Sequence, residues 1–222
     1  MNNYVKGYRI GYDSLLINKV IRNTYILLSI NLLFSFLTAW FSVVTHSKSL
    51  GFFSILIYIG LIYLINIFKN SYYGIFFLFC FTGFLGYSLS PLINMILYKF
   101  VNGQEIILLS LFVTFFLFSF LSLYAFFTKK DFNYLGCFLF ISFFLVLILS
   151  IIGYIFSIFL VNLLVSFFIV LLSCGYILYE TSQLINGGGR NYILATINLY
   201  LDFFNLFVSF LRLFGFFIGR KD

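Results

Sequence analysis

The chain has 222 residues, of which 63% are apolar and only 9% are charged, and its mean hydropathy is +1.12. A soluble globular domain carries roughly 25% charged residues because its surface must be hydrated. The composition therefore excludes a soluble protein. The net charge of +7 does not indicate a nucleic-acid partner, because no segment combines a basic surface with interleaved aromatic residues. We expect the lipid bilayer to surround most of this chain.

A membrane-spanning helix needs about 20 mostly apolar residues to cross about 30 Å of hydrocarbon. In chain order, the stretches between charges predict seven such helices at residues 24–45, 50–68, 74–97, 106–127, 134–155, 158–180 and 192–218. The uncharged run between Asp131 and Glu180 accommodates two helices with a tight turn near Gly153. The predicted fold is an all-α bundle of seven transmembrane helices, with a cytoplasmic amino-terminal tail (residues 1–23) and a membrane domain (residues 24–219).

The first segment follows basic residues, as a secretory signal would. It is longer than the apolar core of a signal peptide, and no small-x-small cleavage pattern follows it, so we expect it to be retained.

The basic residues indicate the orientation of the bundle. With the amino terminus inside, the cytoplasmic segments collect eight basic residues: Lys6, Arg9, Lys19, Arg22, Lys69, Lys129, Lys130 and Arg190. The other side collects four: Lys48, Lys99, Arg220 and Lys221. By the positive-inside rule this asymmetry predicts a cytoplasmic amino terminus and an external carboxy terminus.

The sequence lacks the motifs of the common enzyme classes. His46 is the single histidine, no Cys-x-x-Cys pair occurs, and Cys80, Cys137 and Cys174 fall inside predicted helices, where we interpret them as small core residues. No Gly-x-Ser-x-Gly, dinucleotide or phosphate-loop motif is present. We therefore predict no enzymatic activity, no metal site and no cofactor. An intramembrane aspartyl protease, with Glu in place of one Asp, is the only enzymatic alternative.

Polar residues recur along one face of the seventh segment. At alternating spacings of four and three stand Asn191, Ala195, Asn198, Asp202, Asn205, Ser209 and Arg212. A weaker polar face on the sixth segment includes Glu180, and the Gly-rich turn at residues 186–190 makes the two helices antiparallel neighbours. Glu180 and Asp202 can meet if the pair is staggered. Two neighbouring carboxylates in a low-dielectric site would then share a proton, which predicts a proton-sensing or ion-binding pair.

A purely structural interpretation of the same residues is also open. Asp202 could pair with Arg212 or form hydrogen bonds with Asn198 and Asn205, which would join helices together. Glu180 could extend to the cytoplasmic interface.

The third segment is rich in small and polar residues and contains the only proline, Pro91. Small residues allow helices to approach closely, and a proline frees a backbone carbonyl by interrupting the helical hydrogen bonds. We expect this segment to serve helix packing, with the lining of a path as the alternative.

Several stretches resemble the Bax inhibitor-1 (transmembrane Bax inhibitor motif) family, and within it the bacterial YccA-type branch. They are KVIRNTY at residues 19–25, FTGFLGY at 81–87 followed by Ser90 and Pro91, TKKDFNYLG at 128–136, YETS at 179–182, and NYILATINLYLD at 191–202 continuing through NLFVS at 205–209 to Gly215. They span most of the chain in order, and many bacterial relatives have Asp where this chain has Glu180.

The resemblance implies a bundle in which the seventh helix lies at the centre of the other six. It also implies a pH-sensitive calcium leak whose acidic pair corresponds to Glu180 and Asp202, with calcium as the transported ion and Lys69 as the candidate basic partner. The branch is further associated with an FtsH-type membrane AAA protease of the bacterial inner membrane, which it restrains. The tail of residues 1–23 would then be the soluble segment that the protease contacts.

Overall fold

A computed structural model describes residues 2–45, 51–156, 159–187 and 191–220. In these ranges the backbone forms eight α-helices: α1 Asn2–Val44, α2 Phe52–Phe68, α3 Tyr72–Tyr87, α4 Ser90–Lys99, α5 Gly103–Thr128, α6 Leu135–Ile155, α7 Phe159–Ile185 and α8 Tyr192–Phe217. Their long apolar faces are exposed, as expected of helices that contact lipid. An all-helical membrane protein is therefore confirmed.

The number of membrane crossings differs in detail from the prediction. Within the described ranges six helical spans are long and apolar enough to cross a membrane, and Phe53–Phe68 is a shorter apolar helix. The first span covers Ile17–Val44 rather than residues 24–45, because α1 is one continuous helix that includes the predicted tail. The sixth predicted segment extends to Ile185, five residues beyond Glu180.

The third predicted segment is one span, Tyr72–Lys99, made of two helices. Pro91 has no N–H group to donate to the carbonyl of Tyr87, four residues earlier. The Ser42 hydroxyl of α1 donates to that carbonyl instead, at 2.8 Å, and the Ser90 hydroxyl donates to the Ser42 carbonyl at 3.0 Å. The carbonyl that the proline leaves without a helical donor is therefore that of Tyr87, and its bond with Ser42 joins α1 to the break between α3 and α4.

Close approach of α1 and α3 depends on a glycine. A Cβ atom at Gly86 would lie 2.3 Å from the carbonyl oxygen of Ser35, so only glycine allows the two helices to pack at this distance. The packing role expected for the third segment is confirmed at this position.

The last helix is the most shielded of the spans. Of its most apolar window, 61% is buried, compared with 6% to 44% in the other five spans found in the described residues. It packs against α7, α5, α1 and α3. The predicted shielding of the last helix is therefore confirmed.

Some of the residues named from the sequence are exposed or lie outside the described ranges. Cys80 and Cys174 are half-buried, but the Cys137 side chain is exposed on the outer surface of α6, so the interpretation of Cys137 as a core residue is wrong. His46, Lys48 and residues 188–190 of the Gly-rich turn lie outside the described residues. Gly187, which is described, has a φ of 80°, as the turn requires.

Candidate functional site

Two asparagines position α8, one at its start and one against α7. Asn191 caps α8, its side-chain oxygen accepting from the backbone N–H groups of Ile193 and Leu194. Seven residues further along α8, Asn198 Nδ2 donates to Glu180 Oε1 at 3.0 Å. Glu180 is therefore level with Asn198, and Asp202 lies one helical turn deeper in the bundle. This is the staggered arrangement that a contact between the two acids requires.

Both acids line one cavity of about 580 Å³ between α6, α7 and α8. Its apolar wall comes largely from α6, including Phe140, Phe143, Val146 and Leu147. Its polar lining comes from Ser150, Ser173, Tyr176, Glu180, Asn198, Asp202 and Asn205. We call it the acid cavity. The sequence-predicted acidic pair is thus brought to a single site.

Asp202 is buried, with 8% of its surface exposed, whereas Glu180 is half-buried. Among the described residues, no hydrogen bond or ion pair involves the Asp202 side chain. Burial of a carboxyl group without a basic partner is costly, which distinguishes this residue from a structural ion pair.

Asp202 pairs neither with Arg212 nor with the Asn198 amide in this structure. Arg212 lies ten residues further along α8, about 15 Å by helical rise, and lines a different cavity. Asn198 donates to Glu180 rather than to Asp202. Glu180 faces the acid cavity five residues before the end of α7 and accepts a hydrogen bond from Asn198.

The remaining stripe residues divide along α8. Asn198 and Asn205 face the acid cavity, Ser209 is buried, and Arg212 faces the second cavity. The stripe that was continuous in the sequence is therefore two separate polar surfaces in the bundle.

Lys69 lies at the end of α2, away from the acids. Its backbone carbonyl accepts from Asn191 Nδ2 at 2.8 Å, which ties the end of α2 to the start of α8. Asn191 and Asp202 are separated by about 16 Å of helical rise. The described residues include no ion pair between the Lys69 amino group and either acid.

A cation in the acid cavity would meet few ligands. The described residues contain no group of three or more His, Cys, Asp or Glu side chains that could hold a metal. Calcium takes about six to eight oxygen ligands in a resident site. The acid cavity offers two carboxylates, with the Asn198 and Asn205 amides nearby.

A second polar feature, on the opposite side of α8, was missed in the sequence. The fully buried Tyr200 hydroxyl lies 2.6 Å from Ser35 Oγ and donates to the Thr82 carbonyl at 3.2 Å. Thr82 Oγ1 donates to Asn31 Oδ1 at 2.8 Å, and Asn31 Nδ2 donates to the Leu27 carbonyl. Asn31 was the available signal, because an asparagine inside an apolar segment needs partners in the bundle.

The loop between α5 and α6 is attached to the end of α7. Ser182 Oγ accepts from the Phe132 N–H and donates to the Lys130 carbonyl, both at 3.0 Å. Gln183 Nε2 donates to Asn133 Oδ1. The backbone N–H of Asn133 donates to the Asp131 carboxylate. This loop is therefore a fixed surface at the Glu180 end of the bundle.

These features define a multi-pass helical membrane protein with two acids, one on each of its last two helices, that line a single cavity. A family model described as inhibitor of apoptosis-promoting Bax1 matches residues 17–219, so the chain belongs to the Bax inhibitor-1 family.

Comparison with individual proteins gives similar relatives in several bacteria. The chain is 40% identical over 204 residues to the Escherichia coli K12 protein named modulator of FtsH protease YccA, with 90% of each chain covered. It is 40% identical over 200 residues to a Pseudomonas aeruginosa protein, again with 90% of each covered. A Vibrio cholerae membrane protein is 34% identical over 200 residues, 89% of each.

Proposed function

We propose that this protein is a non-enzymatic modulator of an FtsH-type membrane protease in the bacterial inner membrane. The main support is its 40% identity, over 90% of both chains, to the E. coli protein named as such a modulator. A similar E. coli O6:H1 protein is named inner membrane protein YccA. The length of α1 adds support: its 43 residues correspond to about 64 Å, twice the hydrocarbon thickness, so the helix extends well beyond the membrane.

Co-purification with the membrane protease tests this role. The full chain is compared with a deletion of residues 2–16, which precede the Ile17–Val44 span and can be removed without shortening it. We expect the full chain to co-purify and the deletion to lose most of the protease. A chain with the same fifteen residues in scrambled order is the matched control for tail length and charge. Absence of the protease from both the full and the deleted forms would refute the proposal.

The same proposal includes seven crossings with a cytoplasmic amino terminus. The seventeen residues of α2 rise about 25 Å, which is sufficient for a short crossing. Reporter fusions in the α4–α5 loop at Asn102 and in the α5–α6 loop at Asp131 test it. We expect the reporter to be external at Asn102 and cytoplasmic at Asp131, and the reverse result would exclude this orientation.

The acid cavity favours a second, compatible function, a pH-sensitive leak of calcium or another cation gated by Glu180 and Asp202. The observation that supports it is the convergence of both carboxyl groups on one cavity of about 580 Å³. When both are ionised, the pair attracts a cation, and when a proton is shared, the attraction weakens. Gating by protonation follows from that difference.

Calcium flux into liposomes, measured across pH, tests this function. We expect flux through the wild type to depend on pH, and Asp202→Asn and Glu180→Gln to flatten that dependence, because neither amide can exchange a proton. Glu105→Gln is the matched control, since Glu105 is an exposed acid that lines a different cavity. Identical pH profiles in the wild type and all three variants would refute gating of a leak by Glu180 and Asp202.

A further inference from the structure

The second cavity lies at the opposite end of the bundle from the Glu180 end. Its volume is about 700 Å³, and it is lined by α4, α7, α8 and the segment after α8. Lys99 is the last residue of α4, Asn162 lies in the first turn of α7, and Arg212 lies five residues before the end of α8. All three therefore line the cavity from the same end of the bundle, near one membrane interface. We call it the basic cavity.

The described charges in the basic cavity are positive. Lys99 and Arg212 are its charged lining residues, and no acidic side chain of the described residues lines it. Across the described residues neither cation forms an ion pair, and the Lys99 amino group lies 5.6 Å from the centre of the Phe100 ring. A guanidinium within a membrane span is costly unless an anion or water reaches it. The cavity therefore has a charge that favours an anionic occupant.

The rest of the lining is apolar and opens towards lipid. Met95 and Phe216 are 53% and 46% exposed at its sides. A small inorganic anion would contact the charges alone, whereas a molecule with one anionic group and an alkyl chain would contact both the charges and the apolar walls. A phospholipid has that chemistry, and the bilayer supplies it.

One rim of the cavity is fixed by a hydrogen-bonded clamp. Asn102 Nδ2 donates to the Ile218 carbonyl at 3.1 Å, and Asn102 Oδ1 accepts from the Arg220 N–H at 3.0 Å. The Val101 N–H donates to the Arg220 carbonyl at 3.0 Å. The segment that follows α8 is thereby held against the α4–α5 loop, so this rim is formed before any ligand binds.

We propose that the basic cavity binds an anionic phospholipid, with its phosphate between Lys99 and Arg212 and an acyl chain along Met95 and Phe216. Each cation supplies charge-assisted hydrogen bonds to the phosphate, and Arg212 presents a planar donor pair suited to two phosphate oxygens. The proposal rests on neither protease binding nor cation flux.

Lipid binding to the purified full chain tests the proposal. Phosphatidylglycerol, phosphatidylcholine and inorganic phosphate are added separately in detergent, and bound lipid is measured by native mass spectrometry together with the melting temperature. We expect phosphatidylglycerol alone to bind and to raise the melting temperature. The variant K99Q/R212Q should bind it at least about tenfold more weakly, since charged hydrogen bonds are lost. K129Q/K130Q, which removes two exposed charges at the other end, is the matched control and should bind like the wild type.

A variant that fills the cavity keeps the test decisive if K99Q/R212Q does not fold. Leu163→Trp retains both cations but occupies the apolar wall, and it should also lose phosphatidylglycerol. Equal binding of phosphatidylcholine, or equal stabilisation by inorganic phosphate, would overturn the assignment to an anionic lipid. Unchanged phosphatidylglycerol binding by K99Q/R212Q would overturn the site.

Discussion

Replacing Tyr200 with Phe removes one hydroxyl from the centre of the bundle and leaves the ring in place. That hydroxyl contacts Ser35 of α1 at 2.6 Å and the Thr82 carbonyl of α3 at 3.2 Å, while Tyr200 itself is only 1% exposed. Because the ring remains, no large cavity forms. The loss is therefore that of two hydrogen bonds joining the last helix to α1 and α3.

The expected destabilisation follows from these contacts. Hydrogen bonds between membrane helices average about 0.6 kcal/mol, and buried ones in proteins reach about 1.5 kcal/mol. Two of them give a decrease of about 1–3 kcal/mol in the free energy of unfolding. Ser35→Ala alone should cost less, because it removes only one of these bonds.

Unfolding in mixed micelles at increasing denaturing detergent measures the change. A double-mutant cycle of Ser35→Ala and Tyr200→Phe should give a coupling energy of at least about 0.5 kcal/mol, as expected for residues in contact. Tyr63→Phe, at a ring that is 66% exposed on α2, is the matched control. A Tyr200→Phe effect within about 0.5 kcal/mol, as for ordinary surface changes, would refute this account of the network.

Two further predictions concern helix packing and the α5–α6 loop. Gly86→Ala should lower the free energy of unfolding by about 1–3 kcal/mol, measured in the same assay, because the new Cβ would lie 2.3 Å from the Ser35 carbonyl oxygen. Ser182→Ala removes the acceptor of the Phe132 N–H at 3.0 Å. Hydrogen exchange at Phe132 should accelerate about tenfold, as expected for the loss of one buried hydrogen bond.

Each of these has a matched control in the chain. Nothing lies within 4 Å of a Cβ built at Gly60, so Gly60→Ala should stabilise by up to about 1 kcal/mol through helix propensity. Equal effects of alanine at Gly86 and Gly60 would show that the close approach is not tight. Ser29 bonds only a carbonyl of its own helix, at Tyr25, so Ser29→Ala should leave loop exchange unchanged. Unchanged exchange in Ser182→Ala would contradict the attachment of the loop.

The sequence predicted most of the helices because hydropathy is a local property. Each span is recognised by the transfer of its own residues into hydrocarbon, without knowledge of its neighbours. The last helix begins at Tyr192 and ends one residue from the predicted boundary. The extension of α1 beyond its apolar part was not predicted, because a polar helical extension leaves no hydropathy signal.

The acidic pair was also accessible from sequence, but its geometry was not. Periodicity places Asp202 and Asn198 on one face of α8, and the turn places α7 beside it. Whether Glu180 reaches that face depends on the stagger between the helices. The stagger is set by packing and by the Asn198–Glu180 hydrogen bond, neither of which is encoded by spacing along one helix.

The sequence by itself determined that this is a helical membrane protein, where most spans lie, and that acids occur on the last two helices. Only the tertiary structure decided that the polar stripe of α8 divides between an acid cavity and a basic cavity. It also decided that Tyr200 joins α8 to α1 and α3. The physical reason is that burial in lipid depends on each residue's own chemistry, whereas the partner of a polar group depends on the rotation and axial position of every neighbouring helix.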